Sequence, residues 1–245
     1  MRAEKLGEKK WQRNKKIMDS EYVKKSHKRA LKENKERHLH GKPVYIQDPL
    51  PEGVDLDYVI KYVQSRVPSQ LMYLVDSIYV GNFEFLNKKN VNALYLDSAI
   101  YVSNKQSSEE DMIDDIIHET AHSVEELAGD EIYFDGEVEK EFLGKRQRLC
   151  DLLGAEGYKL PTVMCYNTEY NENFDEFLYQ TVGYEALTSI AMGLFYSPYA
   201  ITSLREYFAN GFEEYYLGDR KYLFEISPKL FQKIDMIDQI GEQYS

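Results

Sequence analysis

The sequence predicts a mainly helical α+β fold in which a small mixed sheet precedes an active-site helix and a C-terminal helical half. Three observations carry that expectation. Short apolar runs rich in β-branched and aromatic residues crowd residues 71–102, helical spacing dominates from about residue 108 onward, and His118-Glu119-Thr120-Ala121-His122 falls within the first long helix of that second half. At 245 residues the chain can bury a sizeable core, so one domain with an appendage is expected rather than two full domains.

The appendage is an N-terminal arm over residues 1–42. Residues 1–40 hold 14 of the 30 Lys+Arg and 6 of the 42 Asp+Glu, which leaves 16 against 36, a balance of −20, for the rest. Trp11, Ile17, Met18, Tyr22, Val23 and Leu31 are too sparse for a heptad, so the arm reads as exposed and partly helical, with its most basic cluster at Lys24 to Arg29. Such an arm can dock on nucleic acid, an acidic partner or its own body. An acidic body draws Zn²⁺ and basic peptides and disfavours nonspecific nucleic-acid binding. His27, His38 and His40 read as surface residues. Gly41, Pro43, Pro49, Pro51 and Gly53 mark the boundary, placing the folded domain at 43–245.

Within the domain, a helix is expected over 54–66, ended by Val67-Pro68. Segments 71–75, 77–80, 93–96 and 99–102 read as strands. The last immediately precedes the motif helix, where a strand serves either as an edge holding an extended peptide or as an internal strand. The motif helix is expected over about 108–127. Ser107 with Glu110 fits a capping box, Glu109 and Asp111 suit a helix amino end, and Gly129 is a stop. On the helical wheel Ile113, Ile116, Ile117, Val124 and Leu127 share one arc, roughly opposite the two histidines, and Asp111, Asp114 and Glu125 share the histidine side. Helices follow over 136–153 and, with breaks at Gly183 and Gly193, over 173–196. A last helix opens at Ser197-Pro198 and runs to Leu217.

No apolar run is long enough to span a bilayer, and the charged start is not followed by the apolar core of a signal peptide. The expected location is cytoplasmic, or one reached by a non-classical route. Cys150 and Cys165 form neither a disulfide framework nor a Cys-rich metal site, with one optional bridge.

His118 and His122, four residues apart, lie about 40° apart on a helix and reach one metal ion from one face, with Glu119 beside them to take a proton from water. Given five His and 42 Asp+Glu, roughly 0.02 chance matches to this pattern are expected. A catalytic zinc needs a third protein ligand. No His follows His122, so a later carboxylate is required. Glu137, Glu139 and Glu141 compete with Glu206, which is preferred because the helix from Ser197-Pro198 places Tyr199 seven residues earlier on the same face.

His118-Glu119-x-x-His122 followed by Tyr199 and Glu206, in a Tyr-x6-Glu-Tyr-Phe-Ala setting, resembles the catalytic domain of anthrax lethal factor and the Pro-Pro endopeptidases over roughly residues 54–225. The resemblance implies a zincin-like domain, Glu206 as the third zinc ligand, and Tyr199 assisting at the scissile carbonyl of a peptide or protein substrate. Asn210 departs from the pattern, which has a further Glu four residues after the ligand. The implied activity is zinc-dependent peptide hydrolysis with Glu119 as general base, Asp115 and Glu126 being candidates to orient the histidines. The rival is a catalytically silent protein of this fold whose basic arm docks on a partner or nucleic acid.

Overall fold

The structure is a computed structural model that describes residues 37–243; the readings made for residues 1–36 lie outside the described residues. Its larger compact unit begins at His38. Two strands, β1 (Arg37–Leu39) and β2 (Lys42–Ile46), occupy what the density of breakers marked as the junction. His40 and Gly41 join them, both with positive φ as a two-residue hairpin turn requires. His40 is tied in, its Nε2 lying 2.7 Å from the Val67 carbonyl oxygen.

Next come α1 (Leu56–Arg66), β3 (Ser77–Gly81), α2 (Glu84–Lys89), β4 (Ala93–Leu96) and β5 (Ala99–Ser103). The expected strand at 71–75 is a 3₁₀ turn, Ser69–Met72: Leu71, Met72 and Val75 are buried at helical rather than alternating spacing. The sheet order is β1-β2-β3-β5-β4, with β2, β3 and β5 parallel and β4 antiparallel to β5. Of the two roles open to 99–102, the internal one is realised, and β4 is the edge. Ile78, Val80, Ile100 and Val102 point into the core. Tyr45, Tyr79 and Tyr101, in register on the opposite face, stack at 5.2 Å spacings.

The helical half comprises α3 (Glu109–Tyr133), α4 (Glu137–Ala155), α5 (Glu172–Glu176), α6 (Tyr184–Ala191), α7 (Leu204–Leu217), α8 (Arg220–Ile226) and α9 (Pro228–Gln243). A π-helical turn, Phe177–Val182, separates α5 from α6. The organising helix is α3, which packs against β4 and β5 as well as α7. Its cap is Ser108, one residue after the expected Ser107, accepting from the Asp111 N–H at 3.1 Å. Gly129 does not stop it. Ala128 departs from helical geometry (φ −114°, ψ 21°), and beyond that kink the helix continues to Tyr133. Leu127, just before the kink, is 54% exposed although the wheel places it on the apolar arc, whereas Glu125 is buried.

Cys150 on α4 is disulfide-bonded to Cys165 in the 3₁₀ turn Thr162–Tyr166. Buried Arg146 reinforces the joint, its Nη1 donating to the Asn167 carbonyl and its guanidinium lying 4.2 Å from the Phe174 ring centre. Among the described residues no helix is long and apolar enough to cross a membrane.

Candidate metal centre

The site forms where α3 meets α7. Both motif histidines project from α3 toward Glu206 in the first turn of α7. His118 Nε2 lies 3.0 Å from Glu206 Oε2, and His122 Nε2 lies 3.7 Å from Glu206 Oε1. One ligand atom from each of the three residues falls within 4.8 Å of the others. Ligands at 2.0–2.1 Å in a tetrahedron stand about 3.3 Å apart. The three side chains are thus close enough to converge on a single small cation, and among the described residues they form the one His/Cys/Asp/Glu group that is.

The outer nitrogens of both rings are also held. His118 Nδ1 lies 3.4 Å from Glu213 Oε2, and His122 Nδ1 lies 3.4 Å from Glu125 Oε2. Carboxylates at Nδ1 fix the tautomer that leaves Nε2 as the ligand atom. Burial lowers the affinity of His118 for a proton, but hydrogen bonds to Glu206 and Glu213 outweigh it and push its pKa up to about 10. The surroundings favour a positive charge at that point. Burial would likewise raise the Glu125 carboxyl, yet hydrogen bonds from His122, Tyr133 and Arg205 hold it below the ordinary range. Tyr133 donates to it at 2.6 Å and Arg205 Nε at 2.8 Å.

These two carboxylates are the residues that sequence reasoning missed. Glu125 shares the histidine side of the wheel with Asp111 and Asp114, an acidic side that ordinarily faces solvent, though it stands three residues after His122. Glu213 stands seven after Glu206, two turns along the same face. Asp115 and Glu126 do not hold the histidines. Asp115 accepts from Gln106 Nε2 at 2.8 Å, while Glu126 lines a cleft with Tyr95. Of the rival third ligands, Glu139 is exposed and the other two are engaged elsewhere. Glu141 accepts from Tyr207 Oη and from the Lys229 and Leu230 N–H groups at the start of α9, and Glu137 pairs with Lys229.

Glu206 and Tyr199 do not share a helix. Ser197 caps only a single 3₁₀ turn, Tyr199–Ile201, accepting from the Ala200 N–H; Ser203, in extended conformation, then starts α7 by accepting from the Glu206 N–H at 3.1 Å. The two pieces are joined by Asn210. Its Oδ1 accepts from Ser197 Oγ at 2.6 Å, and its Nδ2 donates to the Glu206 carbonyl at 3.0 Å. Tyr199 thereby stays at the site, its ring centre 6.0 Å from that of His118. Burial, then Glu206 and Glu119, push its phenol above the ordinary range, so it remains a proton-bearing donor at neutral pH.

Glu119 is buried beside the histidines, with its Oε2 accepting from the Tyr95 N–H at 2.6 Å. Tyr95 belongs to the edge strand β4, whose turn residues Asp97 and Ser98 both have positive φ. A cleft of about 610 Å³ opens there, bounded by Tyr95 to Ser98, His122, Glu125, Glu126 and Arg205. His122 borders this cleft, so the His/His/Glu group, with Glu119 and the Tyr199 phenol beside it, stands next to the strand edge. Comparison with known proteins finds no matching family model, no matching curated protein and no matching solved structure.

Proposed function

We propose that this chain is a zinc-dependent endopeptidase with a zincin-like catalytic domain. The observation that carries the reading is the convergence of His118, His122 and Glu206 from two helices, with Glu119 adjacent and both imidazoles backed by carboxylates. Two His and one Glu are a donor set used by catalytic zinc. A zinc ion held there would supply Lewis acidity toward a water and a scissile carbonyl.

The remaining chemistry belongs to the protein. Glu119 accepts the proton of the attacking water and returns it to the leaving amine. Its bond to the Tyr95 N–H fixes the carboxylate at the rim of β4. Tyr199 donates to the carbonyl oxygen as negative charge develops there. The outer edge of β4, which pairs with no further strand among the described residues, offers main-chain groups to an extended peptide, and the cleft at its Asp97 end accommodates side chains. The resemblance to lethal factor and the Pro-Pro endopeptidases agrees with these roles. Asn210 replaces one expected carboxylate, and Glu213 holds His118 instead.

The test is digestion of a peptide library with and without a chelator, using wild type and Glu119→Gln. Cleavage by wild type alone, lost with chelator and restored by zinc, is expected. Bound zinc with no cleavage of any peptide would reduce the site to a metal-binding scaffold.

A further inference from the structure

A second cavity, of about 620 Å³, lies at the far end of α7 from the Ser203 cap, bounded by Arg66, Tyr215, Tyr216, Asp219, Arg220 and Lys221. Three cations face one acid there, on a body whose formal balance from residue 41 onward is −20. Where carboxylates outnumber cations more than twofold, an arginine readily finds an acid. Arg66 and Arg220 are in no ion pair among the described residues, and Lys221 approaches only Glu225, at 3.8 Å. Asp219 is spent on α8, its Oδ1 accepting from the Lys221 and Tyr222 N–H groups.

Both guanidinium groups are held in place by aromatic rings rather than by carboxylates. Arg220 lies 3.8 Å above the Tyr215 ring centre, and its Nε donates to the Tyr215 carbonyl at 2.8 Å. Arg66 lies 5.2 Å from the Tyr62 ring centre, with Nη2 donating to the Tyr62 hydroxyl at 3.2 Å. Closing the carboxyl end of α7 accounts for one of the five N–H groups of Arg220. Its four Nη hydrogens find no hydrogen-bond acceptor among the described residues, on a group whose fork suits two oxygens of one anion. At physiological salt the Debye length is about 8 Å, so remote carboxylates are screened while the cations at the cavity wall act at contact.

We propose that this cavity binds a phosphoryl group, gripped by Arg220 and Arg66 with Lys221 adding charge. The volume exceeds that of inorganic phosphate and falls in the range of small-molecule sites, so the natural ligand carries its phosphoryl group on a small organic body. The site is separate from the metal centre and does not depend on the peptidase reading.

The test titrates the full chain with inorganic phosphate and with pyrophosphate, following chemical shifts and thermal stability against chloride at matched ionic strength. Saturable binding is expected. It should weaken about tenfold or more in Arg220→Ala and in Arg66→Gln, and stay unchanged in His118→Ala, where phosphate attached to metal would be lost. Arg66 is exposed at the end of α1, so Arg66→Gln reports on the site even if Arg220→Ala unfolds. Responses equal to chloride, wild-type binding in Arg66→Gln, or loss of binding in His118→Ala would each overturn the proposal.

Discussion

His118 and His122 gain their meaning from what stands behind them. Replacing Glu213 or Glu125 with Gln keeps each side chain's size but removes the charge facing Nδ1. Zinc affinity is expected to fall by about 10–100-fold in each variant with the fold retained, measured by competition with a chromophoric chelator. An unchanged affinity would leave the two carboxylates as packing residues. Tyr199→Phe is expected to lower kcat by about 100-fold while KM stays nearly constant, as for loss of one oxyanion donor. Much of this scale was legible in the sequence, because the spacing of His118, Glu119 and His122 depends only on helix geometry. Glu213 and Glu125 were not, since identifying them required knowing that α7 lies across α3. The pairing of His118 with Glu213 spans 95 residues, which no local period encodes.

Among the elements, the segment 197–217 shows how a local pattern misleads. Ser197-Pro198 satisfies the rules for a helix start, and Ser197 does cap a turn, but Ser203 offers a second start six residues later and the chain takes it. Ser203→Ala should cost about 1 kcal/mol of stability by urea denaturation and weaken zinc binding through Glu206. The sheet was better foretold, since the apolar, β-branched runs at 77–80 and 99–102 are strands with Ile78, Val80, Ile100 and Val102 buried. On α4, burial lowers the pKa of Lys145 to about 8, with its Nζ donating to Ser227 Oγ at 2.5 Å. The folded value lies below the unfolded value of about 10.4, so between them the unfolded chain binds more protons and stability rises with pH. Wild type should therefore gain about 2 kcal/mol on Lys145→Met between pH 7.5 and 10, read from parallel urea melts.

At the scale of the whole molecule, three ties converge on the start of α7. The disulfide and Arg146 anchor the segment 165–167 to α4, and the next residue, Thr168, accepts from the Leu204 N–H at 2.8 Å, two positions before Glu206. In the chain-entropy picture, a bridge closing a loop of this size contributes about 3 kcal/mol. Reduction, or Cys150→Ser with Cys165→Ser, should lower stability by about that amount. The sequence left this bridge open because two cysteines define no framework, and their approach depends on how the turn after α4 folds back. On the proposed reading, residues 84 positions apart, His122 and Glu206, hold one metal ion together with His118. Equilibrium dialysis with metal analysis tests it most directly. About one zinc per chain is expected for wild type and Glu119→Gln, and little for His118→Ala or Glu206→Ala. A wild type that retains no zinc, or a Glu206→Ala variant that binds it as tightly as wild type, would contradict it.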